Sequence, residues 1–253
     1  RRGIREFGPD NETAIIWESR LDSKGLLLTG NTSVIYLFMW IDTKNGPVVM
    51  ETPPNILAIV DDFWFHYVTD IGNAGPDRGK GGKYIILPPD YEGDLEESAF
   101  VKRSNTYGNW FCIRGFPKGD DNAAVVKNIK DNLKVYPLAE KANPKPVQYY
   151  DISDKYINTL HAQDITIFHE INEVVQEEPA AAWSAESLGM LASLGIEKGK
   201  EFKPDARMTK ILSEAAVVGT ATQRSIIWRN RNENVKIWPD SKSWEIGFAG
   251  GSH

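Results

Sequence analysis

The sequence predicts a mainly β protein: an antiparallel immunoglobulin-like or jelly-roll-type β-sandwich followed by a small α-helical subdomain. Over residues 13–118, short runs of apolar, β-branched and aromatic residues alternate with Gly, Pro and Asn turn signals, a pattern typical of sandwiches. Near residue 152 the apolar period changes from two to about 3.6, the helical repeat. We therefore assign residues 1–150 to the sandwich, 151–227 to the helical subdomain and 228–253 to the start of a truncated C-terminal β domain.

Ten runs have the composition of strands, because β-branched and aromatic side chains suit a pleated backbone. They are residues 13–18, 26–29, 33–42, 47–51, 56–68, 83–87, 100–103, 109–116, 134–138 and 147–150. The turn signal Lys44-Asn45-Gly46 joins the third and fourth runs into the clearest hairpin. Residues 1–12 are polar, and we expect them to be loose. We expect no long helix between Val34 and Leu87.

Four helices are predicted from capping residues and from apolar residues at helical spacing. They begin near Asp120 or Asp121, Ile165, Ser184 and Asp205. The first is short and lies within the sandwich, whereas the other three form the helical subdomain. Pro179 ends the second helix, because proline lacks the backbone N–H that would continue it.

The strongest candidate for a functional site is the stretch DDFWFHYVTDIGNAGPDRGKGGKYIILPP, residues 61–89. An aromatic run leads into residues 72–83, which contain five glycines and which we call the Gly-rich loop. Glycines allow sharp turns that leave backbone N–H groups uncovered, and uncovered amides beside cations suit a carboxylate, phosphate or sulfate. The alternative is a surface loop whose glycines serve turns and whose charges are solvated.

The candidate ligand-binding residues of this stretch are Asp70, Asn73, Arg78, Lys80 and Lys83. We expect the segment 75–83 to face a pocket, with at least one of its three cations turned inward. The spacing matches neither a phosphate-binding GxxxxGK[ST] loop nor a GxGxxG fingerprint that opens a helix.

The candidate acid–base residues are His66 and Asp77. His66 lies in the aromatic run, where it either bonds to backbone at the edge of the core or faces the Gly-rich loop with Asp70 as its orienting partner. No serine occurs in a GxSxG motif, which excludes the nucleophile elbow of the α/β-hydrolases.

A weaker candidate for a metal site is formed by His161, His169 and Glu173. His169 and Glu173 are four residues apart and share one face of a helix, but no HExxH motif is present. The alternative is the polar face of an ordinary amphipathic helix. We predict no bound cofactor.

Several stretches carry a family resemblance. WESRLDSKGLLLTGNT, GPVVMETPPN and DDFWFHYVTDIGNAGPDRGKGGKYIILPPDYEG closely resemble the domain of unknown function 1254 family. DITIFHEINEVVQEEP and LASLGIEKGKEFKPDARMTKILSEAAVVGTA resemble the helical segment that follows in its longer members. The resemblance implies a β-sandwich, a helical region and usually a second β domain, the domain of unknown function 1214. It implies no catalytic residues.

The ends of the chain bear on its organisation. It begins with Arg1-Arg2 and ends at His253, where members of that family tend to continue, so we expect a fragment whose C-terminal domain is missing. Three tryptophans near the end of the chain then need a surface to pack against: Trp228, Trp238 and Trp244. That domain or another chain would supply it, and in a homo-oligomer the other chain is a second copy of this one. A preceding export signal stays open, and an exported location is favoured.

Composition narrows the classes of partner. The net charge of −6 argues against nucleic acid or an anionic membrane as the main partner. No apolar run reaches about 18 residues, the length that a membrane-spanning helix needs. The single cysteine, Cys112, lies in an apolar run and is predicted to be a buried structural thiol.

Two classes of function remain open. The first is a non-catalytic binding or structural protein that uses its aromatic residues to hold a glycan, a lipid or a neighbouring subunit; the tryptophans Trp17, Trp40, Trp64 and Trp110 either stack on sugars or fill the core. The second is a hydrolase-type enzyme that acts on a small anionic or polar compound at the Gly-rich loop. We favour the first, because no catalytic constellation is evident.

Overall fold

A computed structural model describes residues 1–27, 30–95, 98–157, 159–228, 236 and 238. The chain divides into two compact units, residues 1–159 and a second that begins at Leu160. The first unit holds every strand of the described residues, and the second holds three of the helices. The chain is therefore mainly β, with helices that lie mostly in its C-terminal part.

Ten strands form two sheets in the first unit. The strands are β1 (Thr13–Ile16), β2 (Ile35–Asp42), β3 (Val48–Thr52), β4 (Ile56–Asp62), β5 (Tyr67–Gly72), β6 (Gly82–Leu87), β7 (Phe100–Arg103), β8 (Gly108–Gly115), β9 (Lys134–Pro137) and β10 (Gln148–Asp151). The larger sheet has six strands in the order β10-β1-β2-β8-β4-β5. The smaller sheet has four strands in the order β7-β6-β3-β9.

Both sheets are mixed: antiparallel pairs dominate, as predicted, but two pairs depart from the predicted antiparallel sandwich. β10 pairs with β1 in parallel, and β7 pairs with β6 in parallel. Parallel neighbours need a long connection. Residues 88–99 supply it between β6 and β7, and most of the first unit lies between β1 and β10. Pairing at this range is invisible to local sequence patterns.

Three local expectations also differ from the structure. The hairpin predicted across Lys44-Asn45-Gly46 does not form, because β2 lies in the larger sheet and β3 in the smaller one, where each pairs with other strands. The run 26–29 forms no strand at its described residues, Leu26 and Leu27. Residues 2–5, expected to be loose, form a short helix, α1 (Arg2–Arg5), because the Arg1 and Arg5 side chains both bond to Asp10 and hold the segment in place.

One cluster of buried apolar side chains holds residues of both sheets. Leu37 and Ile113 of the larger sheet share it with Met50 and Tyr84 of the smaller one. Helix α2 (Asn122–Asn132), which Asp121 caps as predicted, adds Ile129 to the same cluster. We call the face of the six-stranded sheet that lies on this cluster its first face.

The opposite face of the six-stranded sheet, which we call its second face, is rich in aromatic residues. Trp17, Phe38 and Trp40 are buried there, and Trp110 packs against Phe38 with ring centroids 5.2 Å apart. The N-terminal segment covers part of this face through Ile4, which is buried in the same cluster. This sheet therefore buries apolar side chains on both of its faces.

The second unit is helical, as the change of period predicts. Its helices are α3 (Thr166–Glu177), α4 (Ala185–Ser193) and α5 (Ala206–Trp228). Val175, Ile196, Phe202 and Leu212 form its buried core. No helix lies among the described residues between Val34 and Leu87, in agreement with the prediction for that region. None of the described helices has the length and the hydropathy that crossing a bilayer requires.

Candidate functional site

The Gly-rich loop is organised around the buried carboxylate of Asp77. Its Oδ1 accepts hydrogen bonds from the backbone N–H of Gly72 at 2.7 Å and from the hydroxyl of Tyr84 at 2.6 Å. Its Oδ2 accepts the N–H of Gly81 at 3.1 Å. Burial, together with the bond to Asp77, raises the pKa of Tyr84. Asp77 therefore links the two ends of the loop through hydrogen bonds.

The N–H groups of the other loop glycines also have partners within the fold. The N–H groups of Gly75 and Gly79 donate to the carbonyl of Gly72 at 2.8 and 3.0 Å. Gly82 N–H donates to Oγ1 of Thr52 at 3.2 Å. The uncovered amides that the sequence suggested at these glycines are thus absent, because the loop satisfies them itself. An anion at this loop would depend on side chains instead.

The glycines serve close packing of the backbone. Gly72 has φ of +78°, and a Cβ there would lie 2.1 Å from the carbonyl oxygen of Ile56. Gly81 also has φ of +78°, and a Cβ there would lie 2.6 Å from the carbonyl oxygen of Thr52. Any other residue at these two positions is both strained and in collision.

The predicted ligand-binding residues of the loop do not converge on one point. Asn73 and Arg78 are exposed. Lys80 and Lys83 line an open groove of about 490 Å³, together with Asn132 and Gly81. Glu51 lies in the same groove, where its carboxylate accepts bonds from Lys134 and Tyr136, both at 2.8 Å.

His66 lies at the tip of the β4–β5 hairpin, away from the Gly-rich loop. Its ring Nδ1 is 3.1 Å from Oδ2 of Asp62, so Asp62 and not Asp70 is its partner. β5 separates His66 from Gly72, and its six residues span roughly 20 Å at about 3.3 Å per residue. The two candidate acid–base residues, His66 and Asp77, therefore do not share a site.

At the hairpin tip, one aromatic residue has an uncommon backbone conformation and an exposed ring. Phe65 has φ of +60° and is 66% exposed. The buried carboxylate of Asp62 fixes the turn by accepting the N–H groups of Trp64 at 2.8 Å and His66 at 2.9 Å. The ring of Phe65 leans on Trp110, with centroids 5.3 Å apart.

Strand pairing extends this aromatic surface across the second face of the six-stranded sheet. Asp61 of β4 lies opposite Trp110 of β8 on one side and opposite Tyr67 of β5 on the other. Residues directly opposite in a sheet share a face. Tyr67 is 63% exposed. We call Phe65, Tyr67 and Trp110 the aromatic ledge, and Asp61 lies between its two sides.

Asp61 is the most unusual ionisable group of this surface. It is only 8% exposed, and none of the described residues donates a hydrogen bond to its carboxylate. Burial raises its pKa to about 6, and the neighbouring charges of Asp62 and Asp70 contribute to the rise. Asp70 lies opposite Ile59 and therefore on the same face as Asp61. Two carboxylates without partners among the described residues thus lie on the same face of neighbouring strands.

Two further groups of this face, Cys112 and Arg114, have partners or surroundings that set their state. Cys112 is buried, as predicted, and burial raises the pKa of its thiol to about 12. The guanidinium of Arg114 lies over the ring of Tyr36, 5.6 Å from its centroid. In the described part of the chain, Arg114 makes no ion pair with Asp61 or Asp70.

The candidate metal residues have other contacts. The His161 ring bonds to Gln223 and to the carbonyl of Ala162, at 3.2 and 2.7 Å. The His169 ring packs on Phe202 with centroids 5.1 Å apart. Across the described residues, no group of three or more His, Cys, Asp or Glu side chains is placed to hold a metal ion.

Asp70 and His66 were predicted from the sequence as site residues, whereas Asp61 was not. A signal for Asp61 was present: an acidic residue follows ILAIV, an apolar strand, and precedes an aromatic run. Its importance depends on what lies opposite it in the sheet. Strand pairing brings Trp110 there from about 50 residues further along the chain, which local patterns do not reveal.

Comparison with known proteins agrees with the fold. Residues 12–137 match the model of a family described as "Protein of unknown function (DUF1254)". The structure is similar to that of the VPA0106 protein from Vibrio parahaemolyticus, with a TM-score of 0.58 and 20% sequence identity. The similarity covers 82% of this chain and 52% of that one, so this chain spans about half the length of its structural relative. No curated protein matches the sequence. At this identity, the likeness shows the fold alone.

Removing the Asp77 carboxylate is expected to destabilise the first unit. Asp77→Ala leaves the hydrogen-bond donors of Gly72, Gly81 and Tyr84 without their acceptor. Each buried donor left without an acceptor lowers the free energy of unfolding by about 1–3 kcal/mol. We expect a loss of at least about 3 kcal/mol in urea unfolding. Asp120→Ala, a change at a fully exposed carboxylate, is the control. A loss below about 1 kcal/mol for Asp77→Ala would contradict the role of the carboxylate as the anchor of the loop.

Asp61 is expected to make stability depend on pH. Its folded pKa of about 6 exceeds the ordinary 3.8, so the folded state binds the proton more tightly and stability falls as pH rises from about 4 to 6. Asp61→Asn removes this cost, which is at most about 3 kcal/mol at 1.36 kcal/mol per pKa unit. The variant should melt higher than the parent at pH ~8 and alike at pH ~4. An equal difference at both pH values would show that Asp61 is not the group responsible.

Proposed function

The chain belongs, through residues 12–137, to the DUF1254 family of proteins of unknown function, and from this premise we propose that it is a non-catalytic binding protein for a glycan. The proposed site is the aromatic ledge with Asp61 and Asp70. The observation that carries the proposal is Asp61, a residue only 8% exposed, whose carboxylate accepts no hydrogen bond from the described residues and which lies between aromatic residues in the sheet.

A sugar ring suits both parts of this site. Its C–H face is apolar and stacks on aromatic rings, and its hydroxyls donate hydrogen bonds to carboxylates. No described residue donates to the carboxylate oxygens of Asp61, so these acceptors are available to a ligand hydroxyl. Phe65 and Tyr67 supply exposed ring area for the stacking.

The backbone of the hairpin tip supports a binding role. A residue other than glycine with positive φ, such as Phe65, costs on the order of 1–3 kcal/mol and persists only where its surroundings fix it. Asp62 supplies that fixation through its bonds to Trp64 and His66. A turn fixed at such a cost, with a large apolar ring presented to solvent, is characteristic of a surface that contacts a ligand.

We further propose that the two sheets form an immunoglobulin-like or jelly-roll-type sandwich over residues 1–150, followed by a helical subdomain over 151–227. The apolar cluster that residues of both sheets share supports a face-to-face arrangement. A sandwich of this kind provides a rigid base for a site on the second face of one sheet.

We also propose that the region Trp228–His253 meets a further domain or another chain, including a second copy. The indole of Trp228 is 82% exposed and that of Trp238 is 55% exposed, which supports a partner surface. Trp244, the third tryptophan of this expectation, lies outside the described residues.

The second candidate is a hydrolase-type activity on a small anionic or polar compound at the Gly-rich loop. The groove lined by Lys80 and Lys83 favours it, since two ammonium groups attract an anion. Two observations weigh against it: His66 lies at the other end of β5, and Asp77 is buried and already accepts three hydrogen bonds. We therefore place this function second.

The glycan proposal predicts binding of oligosaccharides through the ledge. In calorimetric titrations with a panel of oligosaccharides, Tyr67→Ala should weaken binding of the ligands that bind the parent by about tenfold or more, since ring stacking is lost. Tyr156→Ala is the matched control, because Tyr156 is 75% exposed and follows β10 at the opposite edge of that sheet. The proposal fails if no oligosaccharide binds, or if both tyrosine variants behave alike.

The second candidate predicts binding of an anion in the groove of Lys80 and Lys83. Titration with inorganic phosphate should give a measurable affinity that the double variant Lys80→Ala/Lys83→Ala loses and that high salt weakens. Tyr67→Ala serves as the control and should leave phosphate binding unchanged. Equal phosphate binding by the double variant and the parent would remove the basis for this candidate.

A further inference from the structure

Two aspartates place negative charge beside the aromatic ledge. Asp61 and Asp70 lie on the same face, on neighbouring strands, and their mutual repulsion contributes to the raised pKa of Asp61. Asp62 precedes the ledge and adds a third negative charge nearby. Two cations lie on that face: Arg114 lies over Tyr36 and Arg1 over Trp40, and in the described part of the chain Arg114 pairs with neither carboxylate, while Arg1 bonds to Asp10 and Asp42.

Neutral hydroxyls would leave this charge uncompensated. A bound ammonium group would compensate it, because its three N–H donors form charge-assisted hydrogen bonds that are roughly twice as strong as neutral ones. The same ammonium would lie beside aromatic rings, whose faces attract cations. Both kinds of contact are available at Asp61, between Trp110 and Tyr67.

We infer that the saccharide held by the aromatic ledge is an amino sugar with a free, positively charged amine, which Asp61 and Asp70 bind together. This inference rests on the proposed glycan-binding function and specifies its ligand. It requires that acetylation of the amine, which removes the charge and adds bulk, weakens binding. It also requires that a neutral sugar of the same linkage, whose hydroxyls form only neutral-donor hydrogen bonds to the carboxylates, binds more weakly.

Three tetrasaccharides with the same β-1,4 linkage test the inference: one of glucosamine, one of N-acetylglucosamine and one of glucose. Calorimetric titration at neutral pH and low ionic strength should give an affinity for the glucosamine tetramer at least about tenfold above the other two. The advantage should shrink as salt is added, because screening weakens the charge contacts that provide it.

Variants separate the charge contacts from the stacking contacts. Asp61→Asn and Asp70→Asn should each reduce the preference for the glucosamine tetramer to within about threefold of the glucose tetramer, because each removes a charge contact to the amine and costs the glucosamine tetramer more affinity than the glucose tetramer. Tyr67→Ala should weaken all three ligands. Asp120→Asn removes an equal charge at a fully exposed position and should keep the full preference, which excludes an effect of net charge alone. Circular dichroism of each variant checks that the fold is retained, and Asp70→Asn carries the test if Asp61→Asn does not fold.

The outcomes distinguish this inference from the proposed function. If the three tetramers bind the parent equally well, or if the preference survives in both Asp61→Asn and Asp70→Asn, the amine is not what the carboxylates recognise, although glycan binding stands. If none of the three binds and no other oligosaccharide of the wider panel binds, both the inference and the proposed function are overturned.

Discussion

The alternation of side chains along β4 is the constraint on which the candidate site depends. Ile56, Ala58 and Val60 point to the first face and enter the core that residues of both sheets share. Ile59 and Asp61 consequently point to the second face. The core fixes the register of β4 and so places the carboxylate of Asp61 between Trp110 and Tyr67. It does so although burial raises the free energy of the charged form of Asp61. The apolar contacts of one face thus set the chemistry of the other.

An irregularity where β4 ends makes the aromatic ledge possible. The pairing of β4 with β5 shifts between Val60 and Asp61, so that Asp61 meets Tyr67 while Val60 meets Thr69. Such bulges re-aim side chains at the ends of strands. Asp62 then closes the turn through backbone hydrogen bonds and leaves Phe65 outside. Two adjacent aspartates therefore have different roles: Asp62 fixes the backbone, and Asp61 keeps its carboxylate without a donor among the described residues.

The Gly-rich loop illustrates how one composition can serve either binding or packing. Its glycines and cations resemble those of an anion-binding loop. In this loop, however, the Asp77 carboxylate accepts hydrogen bonds from two backbone amides and from the hydroxyl of Tyr84. Backbone carbonyls such as that of Ile56 approach where a Cβ would lie, which explains the glycines without a ligand. An internal carboxylate can therefore accept the backbone N–H groups of a glycine-rich loop in place of a bound anion. Identifying the acceptor of those N–H groups distinguishes a packing loop from an anion-binding loop.

The sequence by itself determined the mainly β first part, most of its strands, the capped helix at Asp121, the helical second part and the buried thiol of Cys112. These features depend on local periodicity, capping and composition, which neighbouring residues carry. It also drew attention to the stretch 61–89, which holds four of the residues that form the ledge and its acidic pair. Only the tertiary structure decided that β1 and β10 pair in parallel, that His66 meets Asp62, and that Asp61 lies between Trp110 and Tyr67. Those facts depend on which distant strands become neighbours, and that choice is made by the packing of the whole sheet.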